Sequence, residues 1–193
     1  YEERPLREMA LSGEDEKALR GFTFLTQKPE LVVLNLDETQ ISSDLPWGEA
    51  MEKLASERGL GLARVFGRME MEMAELLPDE QAEFMAELGL TEPGRERLIR
   101  EAYSRLGLIS FFTIGKDEVK AWTLKKGGTA LDAAGAIHTD LARGFIRAQV
   151  VRYDDFEACE FSSAACREKG LLGLEGKDYT VRDGDIIEIR FNV

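Results

Sequence analysis

Leu31-Val32-Val33-Leu34 is an unbroken apolar run that stops on Asn35, touches one more apolar residue at Leu36 and gives way to Asp37 and Glu38. Strand-forming residues that end abruptly in polar ones are how α/β proteins set polar side chains at the carboxyl end of a buried strand, where ligands bind. The pattern predicts a strand over 31–36. Ahead of it, Ser12 and Asp15 make a capping-box start, and Ala18, Leu19, Phe22 and Leu25 continue at helical spacing toward the stop at Pro29. Behind it, Asp44 and Pro46 open a helix through Met51, Leu54 and Ala55 that halts at Gly59, and Leu62 to Phe66 is a second short apolar strand. Residues 30–66 thus carry the strand-helix-strand rhythm of a parallel sheet. Three more helices are predicted: Met69 to Leu77, Pro78-Asp79 to Leu88-Gly89, and Glu92-Pro93 to Leu106. The methionines of the first read as core filler.

From Leu108 the period shortens to two. Ser110 to Ile114, a turn at Gly115-Lys116-Asp117 and Val119 to Leu124 predict a hairpin. Thr129 can cap a helix carrying Leu131, Ala134 and Ile137. There follow a strand over 145–151, helical pieces between Phe156 and Gly170, a strand near Tyr179, a tight turn at Arg182-Asp183-Gly184-Asp185, and a closing strand in which Ile187, Ile189, Phe191 and Val193 alternate. Two strands, a helix across them and more strands describe a small β-grasp. Its expected core is Phe112, Trp122, Leu131, Ile137, Ile146, Ile187 and Ile189.

Composition narrows the function classes. The 193 residues, 44% hydrophobic, suffice for one substantial core or two modest ones. No run approaches the roughly 18 to 20 apolar residues of a membrane span, and no signal segment opens the chain, so the expected location is cytoplasmic with no membrane partner. The first residue is Tyr1 rather than Met, which suggests a piece of a longer polypeptide. Of the net charge of −12, residues 1–108 hold 13 basic against 23 acidic side chains and residues 109–193 hold 12 against 14. So acidic a chain is a poor non-specific nucleic-acid binder, and RNA contact is to be sought locally, in the second half. Cys159 and Cys166, read as lying on one helix about 10 Å apart, are too distant for a disulfide and should be reduced thiols. One histidine and two cysteines leave no zinc set. That histidine, His138, reads as a helix-end residue that hydrogen-bonds and packs inside its domain rather than as a proton shuttle.

The Asn35 amide offers both a donor and an acceptor to a purine edge, and the Glu38 carboxylate just beyond can accept from ring or exocyclic N–H groups. The competing reading is a turn with an exposed acid.

The runs "GGTALDAAGAIHTDLARGFIRAQVV" (127–151) and "EGKDYTVRDGDIIEIRFNV" (175–193) strongly resemble the TGS domain of the YchF / Obg-like ATPases. "FMAELGL" (84–90) and "LVVLNLDE" (31–38) fall where that family has its post-G-domain helices and its base-recognition motif. The resemblance implies a fold class of α/β followed by α+β, with three parts. Residues 1–27 would be the end of a helical coiled-coil insertion. Residues 28–107 would be the C-terminal part of a P-loop G domain, a parallel sheet with helices. Residues 108–193 would be a ubiquitin-like β-grasp TGS domain. It implies that Asn35, Leu36 and Glu38 line a base pocket for ATP or GTP, with Mg²⁺ held by an N-terminal half absent here. Leu36 would stand where the usual guanine motif has a lysine, and Glu38 where it has the shorter Asp. Phe66 would stand on a second loop flanking the base, where a phenylalanine either stacks on the ring or blocks it. No Gly-x-x-x-x-Gly-Lys-Ser/Thr occurs in 1–193, so this chain should not hydrolyse nucleotide alone. The resemblance also implies ribosome or RNA contact through the TGS half, where Lys116, Lys120, Lys125, Lys126, Arg143 and Arg147 are a candidate patch and scattered solvated charge is the competing reading. The rival function is a non-enzymatic TGS binding module with a scaffold G-domain remnant. Half an α/β domain would leave strand edges open, so self-association of the fragment is expected.

Overall fold

The computed structural model describes residues 3–41, 45–115 and 118–192. The chain divides into two compact units, Tyr1–Leu106 and Gly107–Val193.

In the first unit the elements run α1 (Gly13–Leu19), β1 (Leu31–Asn35), α2 (Gly48–Glu57), β2 (Gly61–Val65), α3 (Gly67–Ala74), α4 (Pro78–Glu87) and α5 (Gly94–Arg105). β1 and β2 pair in parallel, from Leu31 opposite Gly61 to Asn35 opposite Val65, with α2 as the crossover. α2 stops where Gly59 takes φ +61, the left-handed step that glycine makes without steric cost. Asp44, the expected opening of that helix, lies outside the described residues. Leu36, Leu45, Phe66 and Met69 form the core, joined by Phe84, Leu88 and Leu90. Met73 is also buried while Met71 is exposed, so α3 uses its methionines as a helical face. Glu70 Oε1 accepts from Gly94 N at 2.5 Å and ties α3 to the start of α5.

The long helix expected from Ser12 to Pro29 is not formed. The Ser12–Asp15 capping box is present, but α1 ends at Leu19, and Arg20–Phe22 and Leu25–Gln27 are separate 3-10 turns divided by Thr23 at φ 50. None of these elements buries a side chain. Helical periodicity persists only when an apolar stripe has a surface to pack on, and here Phe22 and Phe24 stack on each other instead, centroids 5.3 Å apart.

The second unit contains β3 (Leu108–Ile114), β4 (Val119–Lys125), α6 (Ala130–Ile137), α7 (Thr139–Arg143), β5 (Phe145–Arg152), α8 (Tyr153–Ala158), α9 (Ser163–Glu168), β6 (Gly173–Glu175) and β7 (Asp185–Phe191). The sheet order is β4-β3-β7-β5-β6. β3 and β7 are parallel and the other pairs antiparallel, which with α6 packed on the sheet is a β-grasp arrangement. Of the expected turn and last strand, Lys116, Asp117 and Val193 lie outside the described residues. No strand forms at Tyr179: Thr180 makes one isolated bridge to Thr129, and the sixth strand lies earlier, at Gly173–Glu175.

Both faces of this sheet are covered. Ile109, Phe111, Leu124, Ala148, Val150 and Ile187 face Ala130 and Ala133 of α6, while Val151 and Ile186, with Phe112 beside them, pack with Phe156, Cys159 and Cys166. The expected core is corrected accordingly. Phe111 is fully buried and Phe112 belongs to the opposite layer, whereas Leu131 and Ile146 are exposed, because α6 approaches the sheet through alanines. The two cysteines do not share a helix. α8 ends in a Schellman turn, with Phe161 N donating to Phe156 O at 2.9 Å and Glu160 N to Glu157 O at 2.8 Å. Glu160 and Phe161 accept positive φ there, and the reversal brings both thiols into one cluster as free cysteines. Burial, and then the contact with Cys159, push the Cys166 thiol up.

Asp185 is the one fully buried carboxylate among the described residues. Its Oδ1 accepts from Arg152 Nη1 at 3.0 Å, and its Oδ2 from Tyr179 OH and Arg182 N, each at 2.9 Å. Burial, and then this hydrogen bond to Asp185, push the Tyr179 hydroxyl up to about 12. No helix of the described residues is long and apolar enough to cross a membrane.

Candidate functional site

The parallel pair β1–β2 delivers the end of β1 to the start of α3. Leu36 N donates to Val65 O at 2.8 Å, prolonging the pairing one residue past the strand. Asn35 then turns its side chain across to the next loop, where Oδ1 accepts from Gly67 N at 3.0 Å. A Cβ at position 67 would lie 3.0 Å from that oxygen, so glycine keeps the approach open. With Oδ1 occupied, the NH₂ of Asn35 is the end left for a ligand, and it can only donate.

Asp37 organises the following turn. Its Oδ1 accepts from Thr39 N at 3.1 Å and Thr39 Oγ1 at 2.9 Å, while its own N–H donates to Gln40 Oε1 at 2.9 Å. The Thr39 backbone and hydroxyl bonds hold the Asp37 carboxyl below its ordinary value. The short 3-10 turn Glu38–Gln40 that results presents Glu38 exposed at its first position.

Of the three residues expected at a base, Asn35 and Glu38 are exposed and Leu36 is 8% exposed, its side chain given to the cluster with Leu45, Phe66 and Met69. Phe66, at 6%, sits in the same cluster, so as placed it neither stacks over the strand end nor blocks it. Gly67 went unnoticed in the sequence; its signal was a glycine placed directly between a strand and a helix start.

The other candidates separate. His138 caps α7, its Nδ1 accepting from Asp140 N at 3.2 Å, but it is exposed rather than packed inside the unit. Among the described basic residues, Lys120 and Lys125 stand on β4, Arg143 at the end of α7 and Arg147 on β5, which β3 and β7 separate from β4. They form no single patch, and Lys116 is outside the described residues. No group of three metal-ligating side chains occurs among the described residues.

Fold and site together define a class: a parallel strand pair with an amide and an acid at its carboxyl end, joined in one chain to a β-grasp unit. Residues 108–192 match the family model YchF-GTPase_C, described as "Protein of unknown function (DUF933)". The chain is 43% identical over 188 residues to the ribosome-binding ATPase YchF of Escherichia coli O157:H7, covering 97% of this chain and 51% of that protein. It is 42% identical over 194 residues to the ribosome-binding ATPase YchF of Bacillus subtilis strain 168, covering 99% and 52%. The solved structure of the Schizosaccharomyces pombe YchF GTPase superposes with a TM-score of 0.81 at 28% identity, over 97% of this chain and 50% of that one. The chain is strongly similar to the YchF ribosome-binding ATPases over 97% of its own length, and it spans about half the length of the curated relatives it matches.

Proposed function

We propose that this chain is the base-recognising and ribosome-contacting portion of a YchF-like ATPase/GTPase, with residues 28–107 as the C-terminal part of its G domain and 108–193 as its TGS domain. The relatives are named ribosome-binding ATPases, and a ribosome partner supports a cytoplasmic location. The observation that carries the reading is the Asn35–Gly67 hydrogen bond, because it leaves an amide donor at the carboxyl end of a strand. Adenine and guanine both present N7 as an acceptor, so this donor serves ATP and GTP alike. Discrimination then falls to Glu38, whose carboxylate accepts from the N–H groups on the far edge of the base. Leu36 contributes backbone placement and core packing, and with no lysine stem along the ring the preference for guanine is weakened. Phosphates and Mg²⁺ fall to a P-loop that this chain does not contain.

Titration calorimetry tests the reading in two settings. The chain alone should bind ATP and GTP weakly or not at all at millimolar nucleotide, since phosphate contacts supply most of P-loop affinity. In a protein that carries this chain behind a P-loop segment, Asn35→Asp preserves the acceptor for Gly67 and removes the donor, and should weaken both nucleotides about tenfold. Micromolar binding by the chain alone, or an unaffected Asn35→Asp variant, sinks the assignment.

A further inference from the structure

Between Arg68 and Arg95 the sequence carries eight carboxylates and not one basic side chain. Six of the eight stand on α3 and α4. Among the described residues only Glu72 and Glu92 are in ion pairs, with Arg68 and Arg100, so the other six lack a counter-ion. Charge of one sign is ordinarily a solvated face. Here the same helices also wall an apolar cleft of about 390 Å³, lined by Met71, Met73 and Ala74 of α3, Met85 of α4 and Pro93 at the entry to α5. Glu70 and Arg95 stand at it too, and Glu70 Oε1 is already taken by Gly94 N. Met73 is 4% exposed and belongs to the floor, whereas Met71 is 73% exposed. Three of the chain's six methionines thus meet at one opening. Methionine is unbranched and polarizable, and it serves where a surface must adapt to a partner's side chains.

We propose that this cleft receives an amphipathic helix of a partner protein, its apolar anchors among the methionines and its lysine or arginine face toward the carboxylates of α3 and α4. Charge selects the partner: a cationic segment is drawn to this stretch, and an acidic one is repelled by it. A second copy of this chain is disfavoured on the same ground, since a two-fold contact would set the same carboxylates face to face. The walls are helices, with no strand edge in the cleft to pair an extended backbone. The incoming segment must therefore satisfy its own backbone hydrogen bonds, as a helix does. Neither Asn35 nor Glu38 lines the cleft, so the site is additional to the nucleotide reading and does not depend on it.

The test uses a protein that carries this chain behind a P-loop segment, so that a cleft filled by upstream sequence shows itself as absent binding. The probe is a fluorescein-labelled peptide of leucine and lysine patterned as an amphipathic helix, followed by fluorescence anisotropy. Gln and Met have similar helix propensities, so Met71→Gln should melt with the parent and yet weaken the peptide about tenfold. Glu75→Gln, one turn on from Met71, should weaken it about two- to fivefold at low salt and leave it unchanged at about 1 M salt. Oxidation by hydrogen peroxide, read by mass spectrometry, locates the peptide. It should slow sulfoxide formation at Met71 and spare the rate at Met9, which is 50% exposed and outside the cleft. No binding, equal binding of a scrambled leucine-lysine peptide or of a leucine-glutamate helix, unchanged affinity in Met71→Gln, or equal protection of Met9 overturns the proposal. A homodimer that Met71→Gln disperses overturns it too, giving the face to a second copy.

Discussion

Replacing Asp185 should unfasten the second unit more than any surface change. The carboxylate is fully buried and receives three donors, Arg152 Nη1, Tyr179 OH and Arg182 N. Asp185→Ala strands two of them, because Arg182 N is a backbone group that cannot turn away and Tyr179 is partly buried. Each buried donor left without a partner costs about 1–3 kcal/mol. Arg152, with a side chain 40% exposed, can return to water and adds little. The sum is about 2–6 kcal/mol, a span that contains the range for breaking one partner out of a buried charged network. Asp185→Asn can keep one oxygen toward Tyr179 and Arg182 but buries an NH₂ without an acceptor where the second carboxylate oxygen stood, so about 1–2 kcal/mol is expected. For a unit of this size 1 kcal/mol corresponds to roughly 4–8 °C. Urea unfolding followed by Trp122 fluorescence in a Trp47→Phe background reads the second unit alone, since Trp122 packs on its core. If Asp185→Ala costs under 1 kcal/mol, or no more than Asp185→Asn, the network does not hold the turn and the reasoning fails.

The capping box at α6 sets an acid limit. Thr129 N and Oγ1 hold the Asp132 carboxyl below its ordinary 3.8; a depressed folded value stabilises above the unfolded one and is lost as pH falls through it, so the second unit's urea midpoint should drop below about pH 4 and Asp132→Asn should flatten that drop. In a protein carrying this chain behind a P-loop, Glu38→Asp should shift ATP/GTP competition toward guanine, and an unchanged ratio removes Glu38 from the base pocket. Residues 108–193 alone should be monomeric on size exclusion and melt cooperatively, whereas 1–107 should self-associate or stay partly molten, because among the described residues β1 and β2 pair only with each other. A sharply melting, monomeric 1–107 would make it a complete domain.

What could be read from residue order was local. The parallel pair, the stop at Gly59, the hairpin and the Thr129 cap follow from short-range patterns that tertiary packing did not overrule. Failures came where a partner surface decides. Phe22 and Leu25 have helical spacing but nothing to pack on, and a two-residue period cannot tell which of Phe111 and Phe112 faces α6 when both faces of the sheet are covered. At the strand end, Asn35 and Glu38 were legible as chemistry. Gly67, and the burial of Leu36 and Phe66, depend on contacts 30 residues apart in the chain, which only the fold supplies.

The Schellman turn at Glu160–Phe161 has a practical bearing. It closes Cys159 and Cys166, the chain's only two cysteines, into a single buried compartment at 3% and 0% exposure. A thiol shut away in this manner reacts with an alkylating reagent only while its surroundings are open, so the rate of modification reports the opening equilibrium of the second unit and nothing in the first. The protein therefore carries its own clock for the breathing of one half, readable by mass spectrometry in a mixture, without a label, and in the presence of ribosomes.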